Sequence, residues 1–444
     1  MHNCYDCNLL SETQIESTRI KELAGLSVSL SDQKVWYAVL GFSVAVRLAT
    51  APFTGNPFDL GIWMNTGSYV GFGRSPYDLH PHIGYPPLWA LWCWVSYMFS
   101  NSILPGNQFA YIFAIKTPIL CADYVLISML LQLSKQHGIL GGRALSTLYL
   151  LNPYVLTVGV IWGMMDNLVG VLVITSLLLI KNRPSWSGIL FALGVALKIY
   201  PILFLPLMIA FLSSTQKIRN IAHWTIAFVT ASIVSIWLPF LIFNWDVGGL
   251  IGVGTAQIAR TPAAIAPIAF WSYLSDIGIT NLGPISLETI QNQQLLRLVW
   301  VPAVALCIII MFWKRKFGRS ESTLMRECLL VYLIYLITAP SISEQLFELV
   351  LIFTLFLGAI AAFRFPYASY IIGSTIVLAF LSLHAPLTSL IFPVYAIDGT
   401  ALMEFGKPFL PWLIMLFTLY LMVEIVKTGE TISRTNRQTT LHPQ

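Results

Sequence analysis

The chain has 444 residues, 57% of them hydrophobic and only 10% charged, with a formal net charge of +5. Soluble domains carry about 25% charged residues, and a water-soluble fold this apolar would expose too much apolar surface to stay dispersed. The figures exclude a soluble enzyme, a secreted disulfide scaffold and a disordered chain, and they predict an all-α polytopic membrane protein.

The first 34 residues are polar and read as a cytoplasmic tail rather than a cleavable leader. Their Cys4-x-x-Cys7 pair lacks the second ligand pair of a structural zinc site. The other four cysteines lie in apolar runs and read as buried hydrophobes. Apolar runs then follow near 35–53, 86–100, 109–133, 144–160, 165–180, 185–212, 220–243, 297–313, 325–342, 345–363, 366–384 and 408–427. A bilayer core takes about 20 apolar residues per helix. Two long loops, 54–86 and 244–296, interrupt the series.

Basic residues orient the runs, because cytoplasmic loops carry an excess of Lys and Arg. Arg19, Lys21 and Lys34 precede the first run. Lys135 with Arg143, Lys181 with Arg183, and Lys217 with Arg219 flank three short loops. Lys314, Arg315, Lys316, Arg319 and Arg364 follow, and Lys427, Arg434 and Arg437 come last. Placing all of these inside requires 86–100 to start and finish outside, and 185–212 to start and finish inside. Both are read as re-entrant or half-length helices, the second broken at Lys198-Ile199-Tyr200-Pro201. The basic residues are too few and too scattered for a nucleic-acid partner.

On this topology the outer face collects polar residues from separated segments. Asp59, Arg74, Asp78, His80, His82 and Tyr85 come from the first loop, and Trp162, Asp166 and Asn167 from a junction between runs. Asp246, Arg260 and Asp276 come from the second long loop. Ser343, Glu344 and Gln345 precede a late run. Ionisable groups at membrane depth are costly and mark function, so the set predicts one shared cavity. Arg47 and Asp123 lie inside runs and predict an internal ion pair or polar network. Lys198 also lies inside a run and needs a phosphate, a carboxylate or a snorkelling route to water. Trp89, Trp92 and Trp94 read as an interfacial belt.

Five motifs occur in order: Gly73-Arg74-Ser75-Pro76-Tyr77, Tyr85-Pro86-Pro87-Leu88, Asn152-Pro153, Gly163-Met164-Met165-Asp166-Asn167 and Lys198-Ile199-Tyr200-Pro201. Over residues 35–275 the set resembles the GT-C membrane glycosyltransferases that use polyprenyl-phosphate sugars. Within them it is most similar to the group that adds the first mannose of glycosylphosphatidylinositol anchors. The resemblance implies a GT-C-like bundle of about 11–13 helices with a large first extracytoplasmic loop. It divides the chain into a tail (1–34), a catalytic module (35–243), a second outer loop (244–296), a variable membrane module (297–427) and a tail (428–444). It also implies inverting transfer from a polyprenyl (dolichyl) phosphate donor to a lipid-linked or glycolipid acceptor. The setting would be the endoplasmic reticulum membrane of a eukaryote or the cell membrane of a prokaryote, with an accessory membrane subunit as a further partner.

The family's first outer loop carries an Asp-x-Asp pair; here Pro57 stands at the first position and Asp59 at the second. A single base therefore remains, and a divalent metal is not expected. Asp59 is assigned as that base, with capping of a loop helix over Leu60–Gly71 as the structural alternative. Arg74, Tyr85, Asp166, Lys198, Arg260, Glu344 and Gln345 are assigned to donor or acceptor binding. Arg74 has a loop-fixing pair with Asp78 as its alternative, and Asp166 and Glu344 have helix capping. A lipid-glycan flippase or a non-catalytic subunit of this fold stays open as another reading.

Overall fold

A computed structural model describes residues 33–79, 84–139, 141–252, 281–282, 285–286, 298, 300–313, 320–339, 344–360, 373–374 and 413–426. The apolar runs fold as helices. They are α1 (Gln33–Thr50), α2 (Pro57–Gly71), α3 (Pro87–Ile103), α4 (Gln108–Gln136), α5 (Gly142–Leu150) and α6 (Pro153–Trp162). Next come α7 (Asp166–Leu179), α8 (Pro184–Leu197), α9 (Tyr200–Thr215) and α10 (Ile218–Phe243). The last are α11 (Trp300–Trp313), α12 (Glu321–Thr338), α13 (Phe347–Ala359) and α14 (Leu413–Val426). The run predicted at 366–384 lies outside the described residues, except for 373–374. A two-residue antiparallel ladder pairs Asn281–Leu282 with Ile285–Ser286. The chain is an all-α polytopic membrane protein. The helices Gln33–Phe53, Gln108–Gln136 and Ile218–Phe243 are long and apolar enough to cross a bilayer, and α5 and α6 are so when taken together, with a bend of 47° between them. Large apolar side chains such as Phe42, Ile226 and Leu241 are more than half exposed, as lipid-facing residues are.

The order of elements follows from caps and breaks. Asn152 accepts from the amides of Tyr154 and Val155, and Pro153 takes the first helical position, where its missing N–H is no loss. The Asn152-Pro153 motif therefore starts α6. Helix α8 ends at Leu197, Lys198 is extended, and a 3₁₀ turn over Tyr200–Phe204 opens α9. The break expected at Lys198–Pro201 is thus present. Helices α7 and α8 run antiparallel, because Ser176 Oγ donates to Ser187 O (2.8 Å) at one end and Lys198 meets Asp166 at the other. Gly188 lets α8 approach α10 closely: a Cβ there would come within 2.5 Å of the Trp224 carbonyl oxygen.

Helices α2 and α3 lie side by side and parallel. Trp63 meets Trp89, Gly67 sits on the Cys93 backbone, and Gly71 faces Tyr97. A Cβ on Gly67 would come within 2.5 Å of Cys93 O, so this close packing requires glycine. Both helices start near each other, which brings Asp59 and Tyr85 to one place. The three tryptophans of α3 are packing residues rather than a belt. Trp89 is buried, Trp92 Nε1 donates to Ile115 O (3.1 Å), and Trp94 meets the Phe243 ring edge to face. Cys93 and Cys328 are buried as expected, but Cys121 is exposed on α4.

Helix α13 sits at the centre, with every residue from Phe347 to Ala359 buried. It packs on α4, α5, α7 and α12. A helix apolar all round is stable only when surrounded.

Candidate active site

Four separated segments meet around Tyr85. The first is the start of α2. Leu60 N donates to Asn56 O (2.9 Å), so the helix begins at Pro57 rather than at Leu60, and Asp59 is its third residue. Asp59 is therefore in the first turn and is not the cap. Pro57 takes the first position, which suits proline. Trp162 Nε1 donates to Asp59 Oδ2 at 2.7 Å. Trp162 ends a π-helical stretch, Leu156–Trp162, that closes on Gly163.

The second and third segments meet as an ion pair. Asp166 is the first residue of α7, and Lys198 follows the last residue of α8. An acid at a helix N-terminus and a cation at a helix C-terminus are each favoured by the backbone dipoles. Lys198 Nζ donates to Asp166 Oδ2 at 2.7 Å, and the two side chains are 9% and 0% exposed. Tyr200 OH donates to Asp166 Oδ1 (3.2 Å). Lys198 is thus paired with a carboxylate, one of the three partners expected for it.

The fourth segment supplies Gln345, whose Oε1 accepts from Lys198 Nζ at 2.8 Å. Glu344 starts the same 3₁₀ turn, Glu344–Leu346. The Lys198 ammonium also stands over the Tyr85 ring, 6.0 Å from its centre. Burial pushes the Tyr85 phenol well above its ordinary range, and the Asp59 and Asp166 carboxylates push it further. Tyr85 is therefore a neutral phenol that shares its surroundings with both acids. Tyr77 OH donates to Tyr85 O at 3.3 Å and stacks on Phe240, which ties the first loop to α10.

Asp59, Tyr85, Asp166, Lys198 and Gln345 thus form one cluster. Arg74 stands apart, exposed at the far end of α2, with its guanidinium 5.8 Å from the Tyr69 ring centre rather than on Asp78. Asp246 stands apart as well; it is exposed, and its carboxylate accepts from Gly248 N (2.9 Å) in a local turn. His80, His82, Arg260, Asp276 and Ser343 lie outside the described residues.

Beneath the cluster is a second buried pair. Arg47 Nε donates to Asp123 Oδ2 at 2.8 Å, with side chains 1% and 0% exposed. Tyr149 OH (2.8 Å) and Asn167 Nδ2 (2.7 Å) both donate to Asp123 Oδ1. Arg47 also donates to Ser43 Oγ and to Leu150 O. The expected Arg47–Asp123 pair is present, and Asn167, the neighbour of Asp166, joins the two pairs into one network.

Two residues went unread in the sequence. Glu348 is fully buried on α13, and neither carboxyl oxygen accepts a hydrogen bond. Lys116 is fully buried on α4. Its Nζ donates to Thr54 O (2.6 Å), Val160 O (2.7 Å) and Ile161 O (3.0 Å), with Thr54 Oγ1 at 3.2 Å. It clamps the segment before Asp59 to the stretch before Trp162. Gly163 has φ +93°, and a Cβ there would come within 2.8 Å of Lys116 Cε. A lysine and a glutamate inside apolar runs were themselves the signal. Lys116→Met is expected to lower stability by about 3 kcal/mol or more, because three carbonyls lose their donor. Thermal unfolding in detergent measures this, and an unchanged midpoint would mean that other donors take over.

The fold and this network define the class: a polytopic helical membrane protein with paired charges at helix breaks. Residues 161–249 match the family model described as Mannosyltransferase (PIG-M), a range that holds Trp162, Asp166, Lys198 and Tyr200. The chain is 27% identical over 205 residues to GPI mannosyltransferase 1 of Candida albicans, covering 42% of this chain and 48% of that protein. It is 29% identical over 187 residues to the protein of that name in Aspergillus fumigatus (38% and 41%), and 26% identical over 273 residues to the one in Kluyveromyces lactis (58% and 61%). The matches span about half the length of these curated relatives. They bear out the resemblance read from the motifs.

Proposed function

We propose that the chain is an integral-membrane mannosyltransferase. In this reading it moves mannose from a polyprenyl (dolichyl) phosphate to a lipid-linked or glycolipid acceptor on the extracytoplasmic or lumenal face. The observation that carries the reading is the convergence on Tyr85 of one partly exposed carboxylate, Asp59, and one ammonium, Lys198. Inverting transfer needs little else. The acceptor hydroxyl oxygen attacks the anomeric carbon, its proton passes to Asp59, and the bond from that carbon to the phosphate oxygen breaks. The polyprenyl phosphate leaves with the bonding electrons. Lys198 has three donors, of which Asp166 and Gln345 take two; the third serves a phosphate oxygen. Asp166, Tyr85, Glu344 and Gln345 would hold the ammonium and the sugar hydroxyls. Arg260 would meet the acceptor or the donor phosphate from the second outer loop, whereas Arg74, at the far end of α2, has no part in this cluster.

The test is transfer itself. Purified protein in vesicles receives polyprenyl-phosphate mannose or a nucleotide-linked mannose, with extracted glycolipids as acceptors. Product from the first donor alone is expected; product from the second alone would reject the reading. Since Pro57 replaces one acid, a chelator is expected to leave the rate unchanged, and a loss restored by added divalent metal would overturn that expectation.

A further inference from the structure

Helices α7 and α8 are joined at the end of the bundle away from Lys198, and so are α9 and α10. Between these two connections lies a concave space of about 770 Å³. Arg183, Trp186, Lys217, Arg219, Asn220 and His223 line it, and among the described residues no acidic one does. Helix α8 starts there after Arg183 and α10 after Lys217, and neither start has a side-chain cap. The positive ends of two helix dipoles add to three formal cations.

The space continues into an apolar groove of about 470 Å³ that shares Ser185 and His223 with it. The groove follows α8 and α10 past Ile189, Ile226, Ala227 and Val234. From His223 to Val234 the helix rises by about 16 Å. The three cations sit at the two connections, where an orientation signal also places them. What that signal does not account for is the concavity they share and its opening into an apolar trough along α8 and α10.

We propose that this is a binding site for an anionic phospholipid. Arg183, Lys217 and Arg219 hold the phosphate of the headgroup, Trp186 flanks it, and one acyl chain lies in the groove. Basic pockets between membrane helices suit such headgroups on physical grounds. The proposal is independent of the sugar chemistry at Asp59.

The test is native mass spectrometry of the full chain in detergent with equal phosphatidylglycerol and phosphatidylcholine. A retained phosphatidylglycerol adduct is expected. The triple variant Arg183→Gln, Lys217→Gln, Arg219→Gln should bind phosphatidylglycerol about a hundredfold more weakly. Ala227→Trp, which fills the groove and keeps every cation, should weaken it as well. Equal retention of both lipids, or a triple variant that keeps phosphatidylglycerol, would overturn the proposal. Displacement by millimolar inorganic phosphate, with no effect of Ala227→Trp, would mark a site for free anions and overturn it too. Melting temperature identifies a variant that fails to fold, and the groove variant then decides alone.

Discussion

Asp59→Asn is expected to reduce sugar transfer by about 10²–10⁴-fold, the range that a positioned base supplies. The substitution keeps the shape of the side chain, and its amide oxygen can still accept from Trp162 Nε1, which now sits 2.7 Å from Asp59 Oδ2. What it loses is the ability to take a proton from the acceptor hydroxyl. The loss should therefore fall on kcat, with KM for either substrate little changed and the melting temperature preserved. Trp162→Phe offers a graded companion. It removes the donor that aims Asp59 without touching the carboxylate, so a partial loss is expected. Equal transfer by wild type and Asp59→Asn would remove Asp59 from the chemistry.

Lys198→Met should be the most damaging substitution for the fold among the cluster residues. Asp166 is fully buried, and without Lys198 the side-chain partner it keeps among the described residues is the Tyr200 hydroxyl at 3.2 Å. Breaking one side of a buried pair costs about 3–5 kcal/mol, most of it from the stranded charge. Methionine fills the volume of the lysine stem, so packing is not what is lost. The double variant Lys198→Met, Asp166→Leu should recover most of the stability, because it removes both charges together. It should not recover transfer, since the phosphate loses its cation. Thermal unfolding of the three proteins measures the first part and the transfer assay the second. A double variant as unstable as the single one would show that the pair is held by something other than its charge.

The sequence made the helices legible because apolar runs this long leave few alternatives. It also made the breaks legible: Asn152-Pro153 and Lys198–Pro201 are read from proline's own geometry. Partnerships were harder. Lys198 was recognisable as a buried cation, but nothing local says that its counter-charge lies 32 residues back and its second hydrogen-bond partner 147 residues on. Arg74 shows the opposite failure. Its place in a motif suggests a ligand, while its position at the far end of α2 depends on how α2 packs on α3. Glu348 and Lys116 lay within apolar runs whose length hid them, although a single charge in such a run is itself informative.

The central place of α13 has a consequence for how the protein is made. Gln345 reaches Lys198 only after 147 further residues have been synthesised. At about 5–20 residues per second, that is on the order of ten seconds after the Lys198–Asp166 pair has left the ribosome. During that interval the earlier helices hold two buried ion pairs, Arg47–Asp123 and Lys198–Asp166, around an unfilled centre. Insertion of α13 then fills that centre, and a chain cut short before residue 344 would keep its earlier motifs without the helix that buries them.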